Sequence, residues 1–507
     1  MTTDFPRRPS PDGTTTPPPG CPAHGPTEGS GGPRRLHGPE AEADQRGLYE
    51  ALRAEHGAVA PVLLHDDVPA WLVLGHAENL QVTRSPGQFS MDSRLWSGLR
   101  DGTVRPDHPL APIFTWQPVC AFVEGTQHSR LRAAITESLK RLNSRGLRRY
   151  INRSSNELIN KICEQGRGDL VSQFAEHLPM MVMTHIIGMP EEYNDRMVEA
   201  ARDMIKGTET ANASNAYVMD ALHRLVARRK REPDEDFTTW LIEHEAGLTD
   251  KEAAEHLRVT LIAAYETTAN LIANVLRMVF TDPRFRSRFG GGQMTLPEAV
   301  EQTLWDEPPF SAMLGRYAVS DSELGGQHIK AGDALLLGIA AANTDPLIRP
   351  DLEANMRGNR AHLAFGGGPH ECPGQDIGRA IADVGVDALL MRLPDVRLTV
   401  EADTLEWTGS ILSRHLVQLP VRFEPRPPQD VVATPRATPH PPSTEDWLVS
   451  SVPQPRPAVA RAEPAGPVRQ AEGNSPLPSR PPTADGEPVR NAPGRMWAHL
   501  VRWWRGY

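Results

Sequence analysis

The chemistry-bearing part of this chain is a short stretch around one cysteine, from Phe365 to Gly374. Three consecutive glycines and two prolines surround Cys372, and a helical apolar pattern begins near Ile377. The dipole and the free N–H groups at a helix start favour a thiolate, so we expect a lowered thiol pKa for Cys372. A single cysteine cannot hold a zinc finger or an iron–sulfur cluster, but it suits a haem iron with one axial thiolate. The alternative is a glycine-rich turn with a small buried cysteine.

The spacing of this stretch resembles a known haem-binding loop. The pattern Phe-Gly-x-Gly-x-His-x-Cys-x-Gly is complete here and resembles the loop of the cytochrome P450 monooxygenases. The resemblance runs from about Asp44 to about Phe423. It implies a mainly α fold with a smaller β region, in which haem b lies between two long helices and Cys372 is the axial ligand. It also implies that these loop residues contact the cofactor: Phe365, Gly366, Gly368, His370 and Cys372.

Three basic residues elsewhere match positions that bind the haem propionates in that family. His128 and Arg132 stand four residues apart and therefore share one helical face, which by itself usually means a solvated surface. Their spacing resembles the family's His-x-x-x-Arg pair, and Arg316 matches a third propionate-binding position. The resemblance thus implies that all three residues bind the cofactor.

A long apolar helix is predicted after Thr249, which forms a capping box with Glu252. Its apolar pattern continues for about thirty residues, so the helix should cross the whole domain. Glu266 and Thr267 interrupt the apolar surface, and buried polar groups must be satisfied. Either the threonine bonds back to its own helix, or the pair relays protons for dioxygen activation, as the family's acid–alcohol motif does. Ala264 departs from that motif, in which glycine is more usual.

The chain lacks a charged pair that the family nearly always carries. Where Glu-x-x-Arg is expected before the Pro308-Pro309 turn, Gln302 and Trp305 stand instead, while Arg357 matches the partner arginine. Losing both charges together is tolerable, because removing only one would strand a buried charge. We predict that Gln302 accepts a hydrogen bond from Arg357 and that Trp305 fills the guanidinium's volume, stacked on Arg357.

Composition points to one large domain and small-molecule partners. The chain has 507 residues and a formal net charge of −10, so general nucleic-acid binding is not expected. The four cysteines are scattered, and neither a signal core nor a long apolar run is evident, which favours a cytoplasmic protein. The four positions are Cys21, Cys120, Cys163 and Cys372.

Biased composition marks both ends of the chain. Residues 1–43 are predicted to be a disordered extension, with the haem domain spanning residues 44–423. Residues 424–494 read as a Pro-rich disordered linker. Residues 495–507 show a basic amphipathic helical pattern, open to an anionic membrane, an acidic protein groove or the domain itself. Peripheral membrane association is therefore one expectation for this chain.

Several local patterns predict the remaining elements of the domain. We expect a strand at Ala70–Leu74, an irregular functional loop over 90–120 and a helix over Asp169–Met189. Arg228–Arg231 is expected to be a solvated stretch, and Gly325-Gly326 to turn between short strands.

The resemblance implies a haem-thiolate monooxygenase that oxidises an apolar small molecule. Electrons would come from a separate ferredoxin and ferredoxin reductase, because no flavin or nicotinamide fingerprint is present. The alternative is a haem protein that senses a ligand or redox state within a signalling complex. The missing charged pair is similar to an actinobacterial, conservon-associated subgroup encoded beside small G-protein-like signalling operons. Peroxide-driven oxygenation is a third reading.

Overall fold

The protein's structure is a computed structural model that describes residues 32–105, 108, 114–206, 210–282, 295–356 and 358–431. Arg357 lies outside the described residues, as do most of the predicted linker and the whole of the 495–507 helix. Predictions on those segments stay predictions.

Two long helices dominate the fold. The helix Asp250–Thr281, called the distal helix below, begins at Thr249, whose hydroxyl accepts from the Glu252 N–H while the Glu252 carboxylate accepts from the Thr249 N–H. The predicted capping box is thus present. The helix Gln375–Arg392, called the proximal helix, follows Gly374 and packs against the distal helix. Among the described residues, the distal helix alone is long and apolar enough to cross a membrane, and 61% of its most apolar window is buried in the protein.

Helices make up most of the described chain, which confirms the predicted mainly α class. In chain order they are α1 Pro39–Ala43, α2 Gln45–His56, α3 His76–Arg84, α4 Ser97–Arg100, α5 Gly125–Lys140, α6 Ser144–Asn160, α7 His177–Ile186, α8 Asn194–Lys206, α9 Ala211–Arg231, α10 Phe237–Ile242, α11 Asp250–Thr281, α12 Leu296–Asp306, α13 Ile339–Asn343 and α14 Gln375–Arg392. The predicted helix over Asp169–Met189 consists of a π-helical turn, Val171–Ala175, followed by α7.

The smaller β region holds one main sheet. Its strands are β1 Arg34–Arg35, β2 Val59–Leu63, β3 Pro69–Val73, β4 Phe89–Ser90, β6 Met313–Ala318 and β9 Ala334–Leu337, in the order β1-β2-β3-β9-β6-β4. Three small sheets hold β5 Arg167–Asp169 with β10 Arg397–Leu398 and β13 Pro420–Arg422, β7 Ser322–Leu324 with β8 Gln327–Ile329, and β11 Trp407–Gly409 with β12 Arg414–Leu416. The predicted Gly325-Gly326 turn joins β7 to β8, and the predicted strand near Ala70 is β3.

Strand β3 shows how the sheet is held. Its side chains alternate between two buried clusters, with Ala70 and Leu72 on one and Trp71 and Val73 on the other. A strand buried on both faces reads as a continuous apolar run, as this one does in the sequence. The sheet therefore sits inside the domain and fixes β6, which carries Arg316.

The domain begins earlier and ends later than predicted. Strand β1 pairs with β2 in parallel, and Leu36 next to it is 6% exposed, so the order predicted from Asp44 starts before it. At the other end, Arg426 binds Asp395 at 2.7 Å and its N–H donates to the Cys163 carbonyl. Residues 34–43 and 424–426 thus belong to the domain, and both predicted boundaries need correction. These pairings link segments far apart in sequence, which local composition does not reveal.

Two other expectations change with the structure. Within 90–120, the 3₁₀ turn Ser93–Leu95 and α4 give order to a stretch expected to be irregular. Arg229, expected to be solvated, is 6% exposed and pairs with Asp236 at 2.5 Å. Its guanidinium also donates to the Gly188 carbonyl, so this arginine joins α9 to the start of α10 and the end of α7.

Candidate active site

The cysteine loop, Phe365–Gly374, is a tight turn between an irregular segment and the proximal helix. The Cys372 N–H donates to the Phe365 carbonyl at 2.9 Å, which closes the loop on itself. Gly366 and Gly368 adopt φ angles of +70° and +67°, a conformation that favours glycine. At Gly368 a Cβ would lie 2.1 Å from the Thr83 carbonyl oxygen of α3, so glycine is also required there by space. At Gly366 no atom lies within 4 Å of such a Cβ, which leaves room on that side of the loop.

The protein alone does not activate the Cys372 thiol. Burial raises the pKa of Cys372, and the opposing effects of the Gly374 N–H and Arg132 do not overcome it. The expectation of a lowered pKa was therefore wrong for the protein by itself, because desolvation outweighs the helix start. A metal ion that binds the sulfur would replace its proton directly.

Four predicted cofactor-binding residues meet in what we call the polar bay, formed by Glu124, His128, Arg132, Arg316 and His370. The rings of His128 and His370 lie 4.2 Å apart between centroids. His128 is 7% exposed, and its Nε2 atom has no hydrogen-bond partner within the described part of the chain. Burial, with further contributions from nearby positive groups including His370, lowers the pKa of His128 to about 4. The bay thus holds a buried N–H donor or acceptor that awaits a partner.

Arg316 reaches the bay from a bulge in β6. The register of β6 against β9 shifts between Leu314 and Arg316, where Gly315 has a φ of +134°. A bulge re-aims the following side chain, which explains why a strand residue can serve this site. Arg316 is 4% exposed, and burial lowers its pKa to about 10 although nearby Glu124 opposes that shift.

Glu124 was not singled out in the sequence, yet it organises the bay. Its carboxylate accepts from His370 Nε2 at 2.9 Å and from the Met91 N–H at 2.7 Å. Burial by itself would raise the pKa of Glu124, but the hydrogen bonds from His370 and Met91 hold it below the usual value. A carboxylate one helical turn before His128 was the sequence signal that could have revealed it.

Arg132 links the bay to the cysteine loop. Its guanidinium donates to the Glu371 carbonyl, next to Cys372, and to the Thr136 hydroxyl at 3.1 Å. The predicted pair on α5 is therefore joined in space to the loop that follows it by more than two hundred residues. This arrangement supports the loop from the side of the bay.

Glu266 and Thr267 follow a stretch of the distal helix that neighbouring elements leave uncovered. Ile262, Ala263 and Ala264 are not buried, although the residues on either side of this stretch are. One turn further on, Thr268 approaches the proximal helix, since a Cβ on Gly378 would lie 3.8 Å from its hydroxyl oxygen. The open part of the distal helix therefore lies close to the cysteine loop.

The acid and the alcohol differ in how they are satisfied. Burial raises the pKa of Glu266 to about 7, and its Oε1 atom is buried with no partner among the described residues. The Thr267 hydroxyl donates to the Ala263 carbonyl at 2.7 Å, which is the local bond expected under the simpler reading. Its oxygen retains acceptor capacity, so Glu266 is the group with an unmet need.

The residues that replace the missing charged pair form what we call the Trp305 cluster: Gln302, Trp305, Asp306 and Arg349. The Gln302 carbonyl oxygen accepts from the Met356 N–H at 2.9 Å, and its amide donates to Asp306. The Trp305 indole donates to the Asn359 carbonyl at 2.9 Å. Both side chains thus fasten the backbone on either side of position 357. Their predicted contacts with Arg357 itself lie outside the described residues.

An arginine that the sequence did not reveal completes this cluster. Arg349 binds Asp306 at 2.5 Å, and its guanidinium carbon lies 5.9 Å from the centre of the Trp305 ring. Arg349 is 3% exposed and also donates to the Leu352 carbonyl. A buried ion pair is therefore present near the positions where the family's pair is absent.

The residues fit a haem. The polar bay has an unpartnered buried nitrogen and two buried or half-buried arginines for propionates, and the cysteine loop has an open side at Gly366. Within the described part of the chain, no three His, Cys, Asp or Glu side chains form a cluster that could bind a metal ion by themselves. Fold and site together define a mainly helical haem-thiolate protein.

Comparison with known proteins gives the family. No protein-family model matches the chain. The chain is 30% identical over 399 residues to 2-hydroxy-5-methyl-1-naphthoate 7-hydroxylase of Streptomyces carzinostaticus, covering 76% of this chain and 96% of that protein. It is 29% identical to cytochrome P450 CYP107DY1 of Priestia megaterium, covering 76% and 97%. The solved structure of CYP154C4 from Streptomyces sp. W2061 superposes with a TM-score of 0.69 at 27% identity, covering 76% of this chain and 96% of that chain. The chain belongs to the cytochrome P450 family, whose members are haem-dependent oxidoreductases.

Proposed function

We propose that this protein is a haem-thiolate monooxygenase that inserts oxygen from dioxygen into an apolar small molecule. The observation that carries this proposal is the Glu266 carboxyl group, whose Oε1 atom is buried without a partner among the described residues and whose pKa burial raises to about 7. A protein that merely binds a ligand has no need for a proton source there, whereas dioxygen activation consumes protons. Haem, when bound, would supply the activation of dioxygen, and Cys372 would hold its iron.

The residues divide the remaining tasks. His128, Arg132 and Arg316 would bind the propionates, and the cysteine loop, with Phe365, Gly366, Gly368 and His370, would carry the ligand. Glu266 holds a proton at Oε1 or Oε2, and Thr267 offers its hydroxyl oxygen to a water beside it. Ile262, Ala263 and Ala264 form an uncovered apolar stretch of the distal helix, which favours apolar substrates. Relatives named for the hydroxylation of a naphthoate and of mycinamicin IV support a small organic substrate.

We infer that electrons come from a separate ferredoxin and its reductase. Five basic residues are exposed at the end of α5 and the start of α6, and α6 packs along the proximal helix. They are Lys140, Arg141, Arg145, Arg148 and Arg149. A basic surface on this side supports docking of an acidic electron carrier. The three cysteines within the described residues form no disulfide, which supports a cytoplasmic location.

Two finer proposals rest on the sequence. The Gln302 and Trp305 substitutions support membership of the conservon-associated subgroup. The 495–507 pattern supports contact with an anionic membrane or an acidic partner. The alternative of a sensor without turnover finds no support among the relatives, which carry names of hydroxylases and oxygenases.

The test is turnover with surrogate ferredoxin partners. NADPH consumption is measured across a library of apolar compounds, and products are identified by mass. We expect consumption that depends on the compound, together with products that have gained oxygen. Compounds that shift the haem spectrum but yield no product with ferredoxin or with peroxide would favour the sensor.

A further inference from the structure

Glu301 is a further buried acid near the cysteine loop. It belongs to a group that we call the proximal cluster: Glu301, His362 and Arg379. Glu301 is 7% exposed on α12. Its carboxylate accepts from His362 Nε2 at 3.0 Å and from Arg379 Nε at 2.5 Å. The cluster therefore places one negative and one positive charge together in the protein interior.

Arg379 brings a positive charge close to the cysteine loop. It lies on the proximal helix, about two turns after Cys372. Its guanidinium carbon is 4.5 Å from the centre of the Phe365 ring, and the Phe365 carbonyl accepts the Cys372 N–H. Arg379 thus packs against the first residue of the loop that carries the sulfur.

His362 contributes a hydrogen bond to the cluster. Its Nδ1 atom accepts from the Ala364 N–H at 3.3 Å, so Nε2 carries the proton that is donated to Glu301. Arg360 also approaches Glu301, at 3.6 Å, but 64% of its side chain is exposed and water screens its charge. The two buried charges of the cluster are therefore those of Glu301 and Arg379.

We propose that the Glu301–Arg379 pair sets the electrostatic potential at the Cys372 sulfur and thereby the reduction potential of the bound haem. In low-dielectric surroundings an uncompensated charge acts strongly over this distance. Net charge near an iron centre is one of the means by which a protein tunes its potential. Glu301 and Arg379 act through the cysteine loop in this proposal and are therefore positioning residues.

The proposal predicts shifts of opposite sign. Neutralising Glu301 leaves the Arg379 cation unbalanced, which favours the reduced iron and raises the potential. Neutralising Arg379 leaves the Glu301 anion unbalanced and lowers the reduction potential. A merely structural role would instead perturb the site in the same way in both variants.

The experiment is redox titration of the haem-loaded full-length protein with Glu301→Gln, Arg379→Gln and both together. We expect an upward shift, a downward shift and a value close to wild type, respectively. Arg360→Gln is the matched control and should leave the potential unchanged. Shifts of one sign in both single variants, or no shift in either, would overturn the proposal.

Two additions keep the result decisive. If Arg379→Gln cannot retain haem, Arg379→Lys keeps the charge and should leave the potential near wild type, while Glu301→Gln must still raise it. Either a fall or no change in the potential of Glu301→Gln then overturns the proposal.

The inference rests on the proposed function only through Cys372 as ligand, so the carbon monoxide spectrum of each sample is recorded as well. A wild type without the thiolate signature counts against the ligand, whereas missing shifts in thiolate-bound protein count against the pair.

Discussion

The polar bay and the proximal cluster both lie beside the cysteine loop, but they differ in whether their buried polar groups find partners within the protein. In the bay, His128 Nε2 is buried without a partner among the described residues, while Glu124 binds His370. In the proximal cluster, Glu301 is bound by both His362 and Arg379, and beside it Arg349 binds Asp306. One side of the loop leaves a need for a ligand, and the other satisfies its charges within the protein.

This difference distinguishes residues that would bind the cofactor from residues that support the backbone. A buried polar atom without a partner costs free energy, and His128 Nε2 lies among the predicted cofactor-binding residues, where a propionate would satisfy it. Paired charges need no ligand and instead fix the backbone around them. Variants in the bay should therefore change cofactor retention, and variants near Trp305 should change stability.

The largest expected effect is on stability, from Arg349→Met. This change removes the Arg349 cation from the Asp306 carboxylate, and breaking a buried pair costs about 3–5 kcal/mol. Denaturant unfolding of the haem-loaded protein measures the loss. Arg360→Met is the control, since its side chain is 64% exposed and a surface pair is worth at most about 1 kcal/mol. Equal losses in the two variants would contradict the distinction between supporting and surface charges.

Glu266→Gln should lower the rate of product formation about 100-fold, the lower end of what positioned acids contribute. Burial raises the pKa of Glu266 to about 7, so the carboxyl holds its proton below that pH and loses it as the pH rises through it. Turnover by wild type should accordingly fall above about pH 7, and the Gln variant should lack this part of the profile. An unchanged rate and profile in Glu266→Gln would remove Glu266 from the mechanism.

His128→Ala should weaken haem retention by about 10-fold or more, because a hydrogen bond to a charged group is worth about 1.5–3 kcal/mol. Transfer of haem to an acceptor protein measures the effect. His223→Ala is the control, since His223 is exposed on α9. If both variants released haem at the wild-type rate, the bay would not be the propionate site.

The smallest effect concerns the missing charged pair. Gln302→Glu with Trp305→Arg should not improve haem loading, because the new charges would lie beside Asp306 and Arg349, which are already paired. Haem content after reconstitution is the measurement. A wild type that cannot be loaded where the double variant can would show that the Trp305 cluster does not replace the pair, and would favour a non-catalytic role.

The sequence revealed the local features of the site and missed the distant ones. The cysteine loop, the capping box at Thr249 and the spacing of His128 and Arg132 are set by neighbouring residues, so pattern alone indicated them. Arg349 is brought in by tertiary contacts that no spacing encodes, and the bonds from Glu124 to His370 and Met91 are tertiary as well, although its position one turn before His128 was a local signal. The thiol pKa was predicted in the wrong direction because burial, which the sequence does not show, outweighs the helix start.

The central claim is that Cys372 holds the haem iron as a thiolate. The most direct test is the spectrum of the reduced, carbon monoxide-bound protein for wild type, Cys372→Ser and Cys120→Ser. We predict the red-shifted band typical of thiolate-bound haem in wild type and in Cys120→Ser, and its loss in Cys372→Ser. Retention of that band in Cys372→Ser would contradict the account.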